Sequence, residues 1–390
     1  MMTSEYQHPV LPKATHDERA RQEFVMSFKG YLQHKIFPSI KTLYEQEIEP
    51  ELTAQNTPNP QPWEIRRLMK KQPRYQWMGA LKRLNQEMLW QSVSMSVERQ
   101  LSELIERSKP KHPSLGSLTL DPNFTIPSHQ TQVDIHCMPG GYHTEDQDDD
   151  VTAGAIYDHG VYLYGLGWLG SLNDDLGQSL IHHYLKDEYP QFQPQNILDL
   201  GCSVGHSTLP YVEAYPEAEV HGVDLSAPLL RYGHGRAEAL NRRVHFHQQN
   251  AESMTFADGS FDLIVSHILF HEIPVSAIRR VLKECDRLLR PGGMMVHLES
   301  PPYSYLTPYQ AFLFDWETAN NNEPYWSAMK IQDLAALTTE AGFKPDCITQ
   351  KFIPSWLRTQ HLTVNKGALA SRGTWFILAV TKDNGGMQEL

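Results

Sequence analysis

The sequence predicts an α/β fold, a doubly wound and mostly parallel seven-stranded sheet, with an N-terminal mainly helical domain. Three observations support this prediction. Between residues 175 and 381, short apolar runs alternate with helix-period patterns, and such alternation is typical of a parallel sheet covered on both faces. The first apolar run ends in a turn with two glycines, Gly201 and Gly205. Ahead of residue 108, apolar side chains recur every three or four positions, which is the helical period.

The chain of 390 residues is long enough for two domains, and we place the first at residues 1–108. Its apolar pattern predicts a helix over 23–49, in which Pro38 should kink or divide the helix because proline has no N–H to close a helical turn. Two more helices are predicted over 62–71 and 76–107. We expect this helical domain to form a lid over a site or a dimerisation surface.

Residues 109–154 change character and predict an irregular linker. This stretch holds five prolines, scattered glycines and an acidic run at 145–150. We expect short extended pieces at 118–120 and 132–137, but no separate domain. The domain that follows, 155–390, carries the alternating pattern, with predicted strands at 196–200, 219–224, 243–247, 261–266, 293–299, 344–352 and 374–381 and predicted helices at 175–187, 206–215, 226–240, 275–289, 308–320 and 330–341.

The turn after the first strand is the most informative part of the sequence. The apolar strand 196–200 runs into Gly201, and Gly205 follows before a helix begins near Ser207. Glycine lets the backbone turn sharply and approach a ligand closely because it has no Cβ. A dinucleotide-binding turn needs the spacing G-x-G-x-x-G, whereas this turn reads D-x-G-x-x-x-G from Asp199. The spacing therefore fits a nucleoside joined to an amino acid better than a diphosphate.

Three later segments add to the turn. Asp224 ends the next strand about twenty residues on, where an acidic group can accept hydrogen bonds from both hydroxyls of a ribose. The polar segment 250–262 precedes another apolar strand, and Leu288-Leu-Arg-Pro-Gly-Gly293 is a helix stop ahead of a further one. Taken in this order, over roughly residues 195–300, the four segments resemble those of class I S-adenosyl-L-methionine (SAM)-dependent methyltransferases, especially the small-molecule, methyltransferase type 11 or UbiE-like branch.

The resemblance implies a Rossmann-like methyltransferase fold whose last strand runs antiparallel, with SAM as the cofactor. It implies that Asp199 and the glycine turn surround the methionine part of SAM, that Asp224 holds the ribose, and that Asn250 and Ala251 lie at the adenine edge. Two positions depart from the family pattern, because Ser203 stands where a third glycine is common and Asn250 replaces the usual Asp. The implied cofactor-binding residues are Asp199, Gly201, Cys202, Gly205, Asp224, Leu225, Asn250, Ala251 and Ser266.

The acceptor-side candidates follow the fourth and fifth predicted strands, because ligands of open α/β sheets bind beyond the carboxyl ends of the strands. A histidine has a pKa near neutrality and can accept a proton from a hydroxyl, an amine or an acidic carbon. The candidate catalytic residues are therefore His271, His267 and Glu299. For each histidine, packing or a hydrogen-bonded helix start is the alternative.

The four-residue spacing of these histidines also suits a metal pair. The residue after His267 is Ile268, however, where a zinc-protease motif needs Glu, so we predict no metal. Aromatic side chains could stack on a flat acceptor, or on the sulfonium through cation–π attraction, or could belong to the core. The candidate substrate-binding residues are Tyr157, Tyr162, Glu272 and Tyr303.

Charge and composition narrow the class of partner. The net charge of −12 disfavours a nucleic acid, whose binding depends mainly on cations at its phosphates. One exception is the segment 66–83 with seven basic residues, which is either a solvated helix face or a grip for phosphates. No apolar run approaches the about 20 residues that span a bilayer, and the N-terminus lacks a secretory pattern. Four widely spaced cysteines suit the reducing cytosol.

The sequence therefore predicts a cytoplasmic enzyme that transfers a methyl group from SAM to a small-molecule acceptor by in-line displacement. It predicts no membrane partner, disfavours a nucleic-acid partner, and leaves a homodimer as one use of the helical domain. Two alternatives stay open: RNA or protein methylation through segment 66–83, and a regulatory protein that binds SAM without turnover. The accepting atom also stays open among oxygen, nitrogen, sulfur and carbon.

Overall fold

The computed structural model describes residues 5–110, 113–361 and 373–383. Its strands are β1 Ser117–Thr119, β2 Asn196–Leu200, β3 Glu219–Asp224, β4 His245–Gln248, β5 Phe261–His267, β6 Leu289–Glu299, β7 Ile348–Pro354 and β8 Thr374–Thr381. Its α-helices are α1 His16–Tyr31, α2 Phe37–Leu43, α3 Glu49–Ala54, α4 Pro62–Met69, α5 Pro73–Glu98, α6 Leu101–Ser108, α7 Ser128–Thr131, α8 Thr152–Tyr164, α9 Asp175–Leu180, α10 Leu209–Ala214, α11 Ala227–Ala239, α12 Val275–Leu288, α13 Pro308–Asn320, α14 Trp326–Lys330, α15 Leu334–Glu340 and α16 Trp356–His361. None of these helices is long and apolar enough to cross a bilayer.

All eight strands belong to one sheet, in the order β1-β4-β3-β2-β5-β6-β8-β7. Neighbours from β1 to β6 pair in parallel, while β8 runs antiparallel to both β6 and β7. From β2 the chain moves outwards through β3 and β4 on one side, and through β5 and β6 on the other. The predicted doubly wound, mostly parallel sheet with an antiparallel last strand is confirmed.

The sheet has one strand more than the seven predicted. Strand β1 overlaps the short extended piece expected at 118–120 within the irregular segment 109–154, and Ser117 pairs with His245 of β4. Leu118 packs against the apolar core of the sheet. A strand of three residues is too short to show a periodic pattern, so its place in the sheet is decided by pairing with β4.

The first predicted helix is longer than expected and is interrupted twice. It begins at His16, after Thr15, whose side chain accepts a hydrogen bond from the Glu18 backbone. A π-helical turn, Leu32–Ile36, precedes Pro38, and a second, Tyr44–Ile48, precedes Pro50. A wider turn accommodates a proline, because the ring would otherwise meet the carbonyl one turn back and has no N–H to offer it. Pro38 divides the helix as predicted, and Pro50 does so again.

Two helical layers cover the sheet, and the N-terminal helices attach to one of them. Helices α9 to α11 pack on one face and α12 with α15 on the other. Helix α5 packs on α1 and α8, α8 packs on α11, and α4 packs on α13. Residue 154, the predicted end of the linker, falls inside α8. The division of the chain at residues 108 and 154 stays a prediction, and the last predicted domain also includes 362–372 and 384–390, which lie outside the described residues.

The close approach of α8 to α11 gives a prediction about stability. A Cβ added at Gly154 would lie 2.3 Å from the Cβ of Tyr232 and 2.9 Å from the carbonyl oxygen of Pro228. Gly154→Ala should therefore lower the free energy of unfolding by about 1–3 kcal/mol through overpacking. Gly30→Ala in α1 is the matched control, because nothing lies within 4 Å of its added Cβ and Ala favours a helix. Urea unfolding followed by circular dichroism measures both, and equal stability of the two variants would contradict this packing.

Candidate active site

A cavity opens at the carboxyl ends of β2 to β5, where ligands of open α/β sheets bind. What we call its first wall follows these strands and consists of Gly201, Ser203, Asp224, Leu225, Asn250, Ala251 and His267. What we call its second wall comes mainly from the segment 126–143 and consists of Ile126, His129, Gln130, His136, Tyr142 and His143. Two residues outside this segment complete the second wall: Tyr157, which contacts Tyr142, and Glu272, which contacts His136. Part of the predicted linker is therefore one side of the cavity.

The glycine turn has the left-handed backbone that its sequence suggests. Gly201 has φ +67° and Gly205 has φ +80°, a region that favours glycine. A Cβ added at Gly201 would lie 2.9 Å from the Leu269 Cδ1, so another residue here would need both a strained backbone and a shift of Leu269. Gly205 does not line the cavity and instead packs near Phe246. Ser203, at the position where a third glycine is common, also has a positive φ of 51°.

Asp224 lies at the end of β3 with its carboxylate at the cavity. One carboxylate oxygen accepts from the Ser203 N–H (2.9 Å) and the other from the Ser226 N–H (3.0 Å). Burial raises the pKa of this carboxyl group above its usual value, while the backbone N–H groups oppose the rise. Each oxygen keeps a lone pair that can accept from a ligand hydroxyl. Leu225, Asn250 and Ala251 lie beside it in the lining.

Four of the implied cofactor residues lie behind the cavity and not on its surface: Asp199, Cys202, Gly205 and Ser266. Asp199 is 1% exposed, and its carboxylate accepts from the Thr208 hydroxyl (2.6 Å) and contacts His267 Nδ1 (3.2 Å). Ser266 bonds to His297 Nδ1 of the neighbouring strand (2.6 Å). Burial raises the pKa of the Cys202 thiol well above its usual value. Asp199 therefore touches the cavity only through His267.

The three candidate catalytic residues differ in their access to the cavity. His267 lines it, with Nδ1 at Asp199 and Nε2 3.2 Å from the Tyr211 hydroxyl. His271 and Glu299 are buried and do not line it. Burial opposes protonation of His271, but Glu299, whose carboxylate lies 2.8 Å from Nδ1, raises its pKa. A protonated imidazole cannot accept a proton, so this ion pair disfavours His271 as a base.

The four candidate substrate-binding residues also differ in whether they line the cavity. Tyr157 and Glu272 line the cavity, and the Tyr157 ring stacks on His206 with ring centroids 5.6 Å apart. Tyr162 does not line it and packs against the core formed by the N-terminal helices and α8. Tyr303 is half-buried elsewhere, where its hydroxyl donates to Ser327. The structure therefore brings two of the four candidates to the cavity.

His136 lines the cavity, although it is not among the candidate catalytic or substrate-binding residues of the sequence analysis. Its backbone has φ +56°, and its carbonyl accepts from Trp90 Nε1 (2.7 Å) and Gln86 Nε2 (3.0 Å) of helix α5. Its ring lies between Glu272 (3.0 Å) and Glu323 (3.1 Å). Burial opposes its protonation, but Glu323 and Glu272 together raise its pKa to about 10. Sequence analysis could not find this arrangement, because a histidine does not indicate a positive φ and because Glu272 and Glu323 are far from His136 in the sequence.

A second cluster that sequence analysis missed lies behind the glycine turn. Asp158 of α8 accepts from His206 Nε2 (2.6 Å), His8 Nε2 (3.0 Å) and the Tyr232 hydroxyl (2.8 Å). Arg236 Nε lies 3.4 Å away. Burial opposes the charge on Asp158, but Arg236, His206 and His8 hold its pKa well below its usual range. Because His206 follows Gly205, this cluster attaches the glycine turn to the N-terminal segment.

Comparison with known proteins agrees with this geometry. Residues 197–293 match a family model described as a methyltransferase domain. A demethylmenaquinone methyltransferase of Thermus thermophilus is 37% identical over 109 residues, which cover 28% of this chain and 49% of the relative. The ubiquinone/menaquinone biosynthesis C-methyltransferase UbiE of Dinoroseobacter shibae is 33% identical over 165 residues, 41% of this chain and 63% of the relative. The tRNA N(3)-methylcytidine methyltransferase Mettl2 of Drosophila melanogaster is 29% identical over 130 residues, 29% of this chain and 40% of the relative.

The sheet order and the glycine turn agree with these matches. Residues 197–293, the part that matches a methyltransferase domain, contain the glycine turn and the strand ends that line the cavity. The chain spans about half the length of the curated relatives it matches. The N-terminal helices lie outside the matched part, and so does the second wall of the cavity except for Glu272.

His136 gives the protein a pH-dependent stability that can be measured. Its pKa is about 10 in the folded chain and about 6.5 in an unfolded one. Its contribution to stability is therefore present in full below about pH 6.5 and is lost as pH rises through about 10. His136→Asn should remove this part of the pH dependence, and Asn tolerates a positive φ. Urea unfolding should show that the free energy of unfolding falls more between about pH 6 and about pH 10 in the unaltered protein than in His136→Asn. An equal fall in both proteins would contradict the raised pKa.

Proposed function

We propose that this chain is an enzyme that transfers a methyl group from SAM to a small-molecule acceptor. The observation that carries the proposal is the Asp224 carboxylate, held at the cavity by two backbone N–H groups beside the glycine turn. When bound, SAM supplies a methyl group on a sulfonium, an already activated leaving group. Placing the acceptor in line with that group then contributes much of the acceleration.

The residues of the first wall fit this cofactor. Asp224 can accept from both ribose hydroxyls, and Gly201 leaves room where any Cβ would meet Leu269. Leu225 and Ala251 offer apolar contact to a flat base, with the Asn250 amide beside them. Tyr157 lies across the cavity, where its ring face can attract a cationic sulfur. Asp199, Cys202, Gly205 and Ser266 would support this wall from behind.

Three observations support a small acceptor over a macromolecule. The net charge is −12, relatives include enzymes named for quinone biosynthesis, and the second wall closes one side of the cavity. We propose that the helical domain 1–108 acts as a lid or a dimerisation surface, because α5 holds part of this second wall through the His136 carbonyl. A cytoplasmic location and a homodimer also stay proposals.

The alternative acceptor is RNA, and the relative named a tRNA methyltransferase is the observation in its favour. The segment 66–83 was the candidate grip for phosphates, but several of its charges are used inside the protein. Arg66 pairs with Asp315 and Lys82 with Glu317, both on α13, and Arg83 pairs with Glu87. Within the described residues, Arg67, Lys70, Lys71 and Arg74 have no ion-pair partner. Two of the seven charges therefore attach α4 and α5 to α13, while these four stay available to a phosphate, so the basic segment does not decide against the RNA alternative.

The role of Asp224 can be tested by binding alone. Asp224→Ala should weaken SAM binding about 10- to 100-fold, because a hydrogen bond to a charged group contributes about 1.5–3 kcal/mol. Isothermal titration calorimetry with SAM measures this effect. Asp346→Ala is the control, because Asp346 is exposed on a turn far from β3 in the sequence. An unchanged affinity in Asp224→Ala would refute the ribose assignment.

The acceptor class can be tested with methyl-labelled SAM and separate metabolite, RNA and protein fractions. We expect label in the metabolite fraction only. Label in RNA that disappears when Lys70, Lys71 and Arg74 are replaced by Gln would support the RNA alternative instead. Micromolar SAM binding without transfer to any fraction would favour a regulatory protein that binds SAM without turnover.

A further inference from the structure

Five ionisable side chains form an alternating row that reaches the cavity, and we call it the imidazole–carboxylate row. Its order is Glu299, His271, Glu272, His136, Glu323. The carboxylate of Glu299 lies 2.8 Å from His271 Nδ1, and His271 Nε2 lies 3.8 Å from Glu272 Oε1. The same Glu272 oxygen lies 3.0 Å from His136 Nε2, and His136 Nδ1 lies 3.1 Å from Glu323 Oε1. Glu272 is the carboxylate of this row that lines the cavity.

Each imidazole of the row lies between two carboxyl groups. Burial opposes their charge, yet the adjoining carboxylates raise the pKa of both, that of His136 to about 10. Lys330, which faces Glu299 and Glu323, donates to the Pro301 carbonyl (2.9 Å), and burial lowers its pKa to about 7. The raised pKa of each histidine disfavours it as the group that takes a proton from an acceptor.

Glu272 has an acceptor position that the protein leaves unused. Its Oε1 faces the two imidazoles, whereas its Oε2 is buried with no hydrogen-bond partner among the described residues. Leaving a buried carboxylate oxygen unpaired is costly, so a donor brought by a ligand would be stabilising. The residue is also held in place, because its carbonyl accepts from Gln130 Nε2 (2.8 Å) and its N–H donates to the Leu269 carbonyl (3.0 Å).

Glu272 also lies on the side of the cavity that the cofactor would leave open. Asp224 and the glycine turn belong to the first wall, whereas Glu272 contacts His136 and Gln130 of the second wall. Tyr142 and Tyr157, with ring centroids 5.6 Å apart, give that side flat apolar faces. An acceptor between the cofactor and this wall would meet one fixed carboxylate.

We propose that Glu272 accepts a hydrogen bond from the methyl-accepting group and takes up its proton when that group is a hydroxyl, so that the acceptor is a small molecule methylated on a hydroxyl oxygen or an amine nitrogen. This inference rests on the proposed function. His136 and His271 are positioning residues that orient the Glu272 carboxyl group through Oε1. A carboxylate acceptor would face a like charge here, and a carbon without a neighbouring hydroxyl would offer no polar hydrogen.

The bonds and charges of the step balance. The lone pair of the acceptor oxygen or nitrogen forms the bond to the methyl carbon, and the carbon–sulfur bond breaks with its electron pair left on sulfur. A methylated hydroxyl then passes its proton to the Glu272 carboxylate. A methylated amine keeps its proton and forms an ion pair with that carboxylate.

Glu272→Gln tests the proposal, with Glu340→Gln as the matched control because Glu340 is exposed on α15. Calorimetry with SAM should give affinities within about twofold of each other for both variants and the unaltered protein. Transfer of labelled methyl to the metabolite fraction should fall about 100-fold in Glu272→Gln, the usual scale of a lost acid–base group, and stay unchanged in the control. Undiminished transfer in Glu272→Gln would overturn the proposal, and so would a parallel loss of SAM affinity, which marks a structural residue.

Two further measurements separate this proposal from the function on which it rests. His136→Asn should lower transfer about tenfold at unchanged SAM affinity, because the Glu272 carboxylate stays but loses its partner. Mass spectrometry of the labelled product should find the methyl group on oxygen or nitrogen, whereas a methyl ester, a thioether or a carbon–methyl product would overturn the role of Glu272 alone. Absence of any transfer by the unaltered protein would overturn the proposed function itself.

Discussion

The buried carboxylate of Asp158 is the contact on which the geometry of the cavity depends. It lies on α8 and accepts from His8 in the N-terminal segment, His206 in the glycine turn and Tyr232 on α11, with Arg236 beside it. A buried charge must be compensated by partners, because its desolvation is costly. Three separate parts of the chain are therefore held against the turn that would bind the methionine part of SAM. The cavity thus depends on the folding of the whole chain and not on residues 197–293 alone.

The second wall of the cavity shows how the N-terminal helices take part in the site. The segment 126–143 has little regular structure of its own, so its shape depends on what holds it. Trp90 and Gln86 of α5 donate to the carbonyl of His136, whose backbone is left-handed. Gln130 joins the segment to the turn after β5 by donating to the Glu272 carbonyl. The strand ends therefore form the first wall, while the helices hold the second wall in place. Under the proposed function, changes at Trp90 or Gln86 would alter the side that faces the acceptor.

The distribution of charge follows the same division. The basic residues of α4 and α5 pair in part with the acidic face of α13, as Arg66 does with Asp315 and Lys82 with Glu317, so they join the helices to the sheet domain. At the cavity, by contrast, the imidazole–carboxylate row contributes His136 and Glu272 to the lining. Charges on α4, α5 and α13 thus join parts of the fold, while under the proposed function Glu272 is the carboxyl group that an acceptor would meet.

The sequence by itself determined the sheet, its antiparallel end and the cofactor side of the cavity. Gly201, Asp224 and Asn250 lie at the cavity as their motifs suggested, because strand periodicity and glycine spacing are local patterns that a few consecutive residues show. Tertiary structure decided the eighth strand, the second wall and the charge states. His271 and Glu299 became a buried ion pair because β5 and β6 are neighbours, and His136 gained its carboxylates from distant loops. Local patterns encode backbone conformation, whereas burial, pKa and the walls of a cavity depend on side chains that only packing brings together.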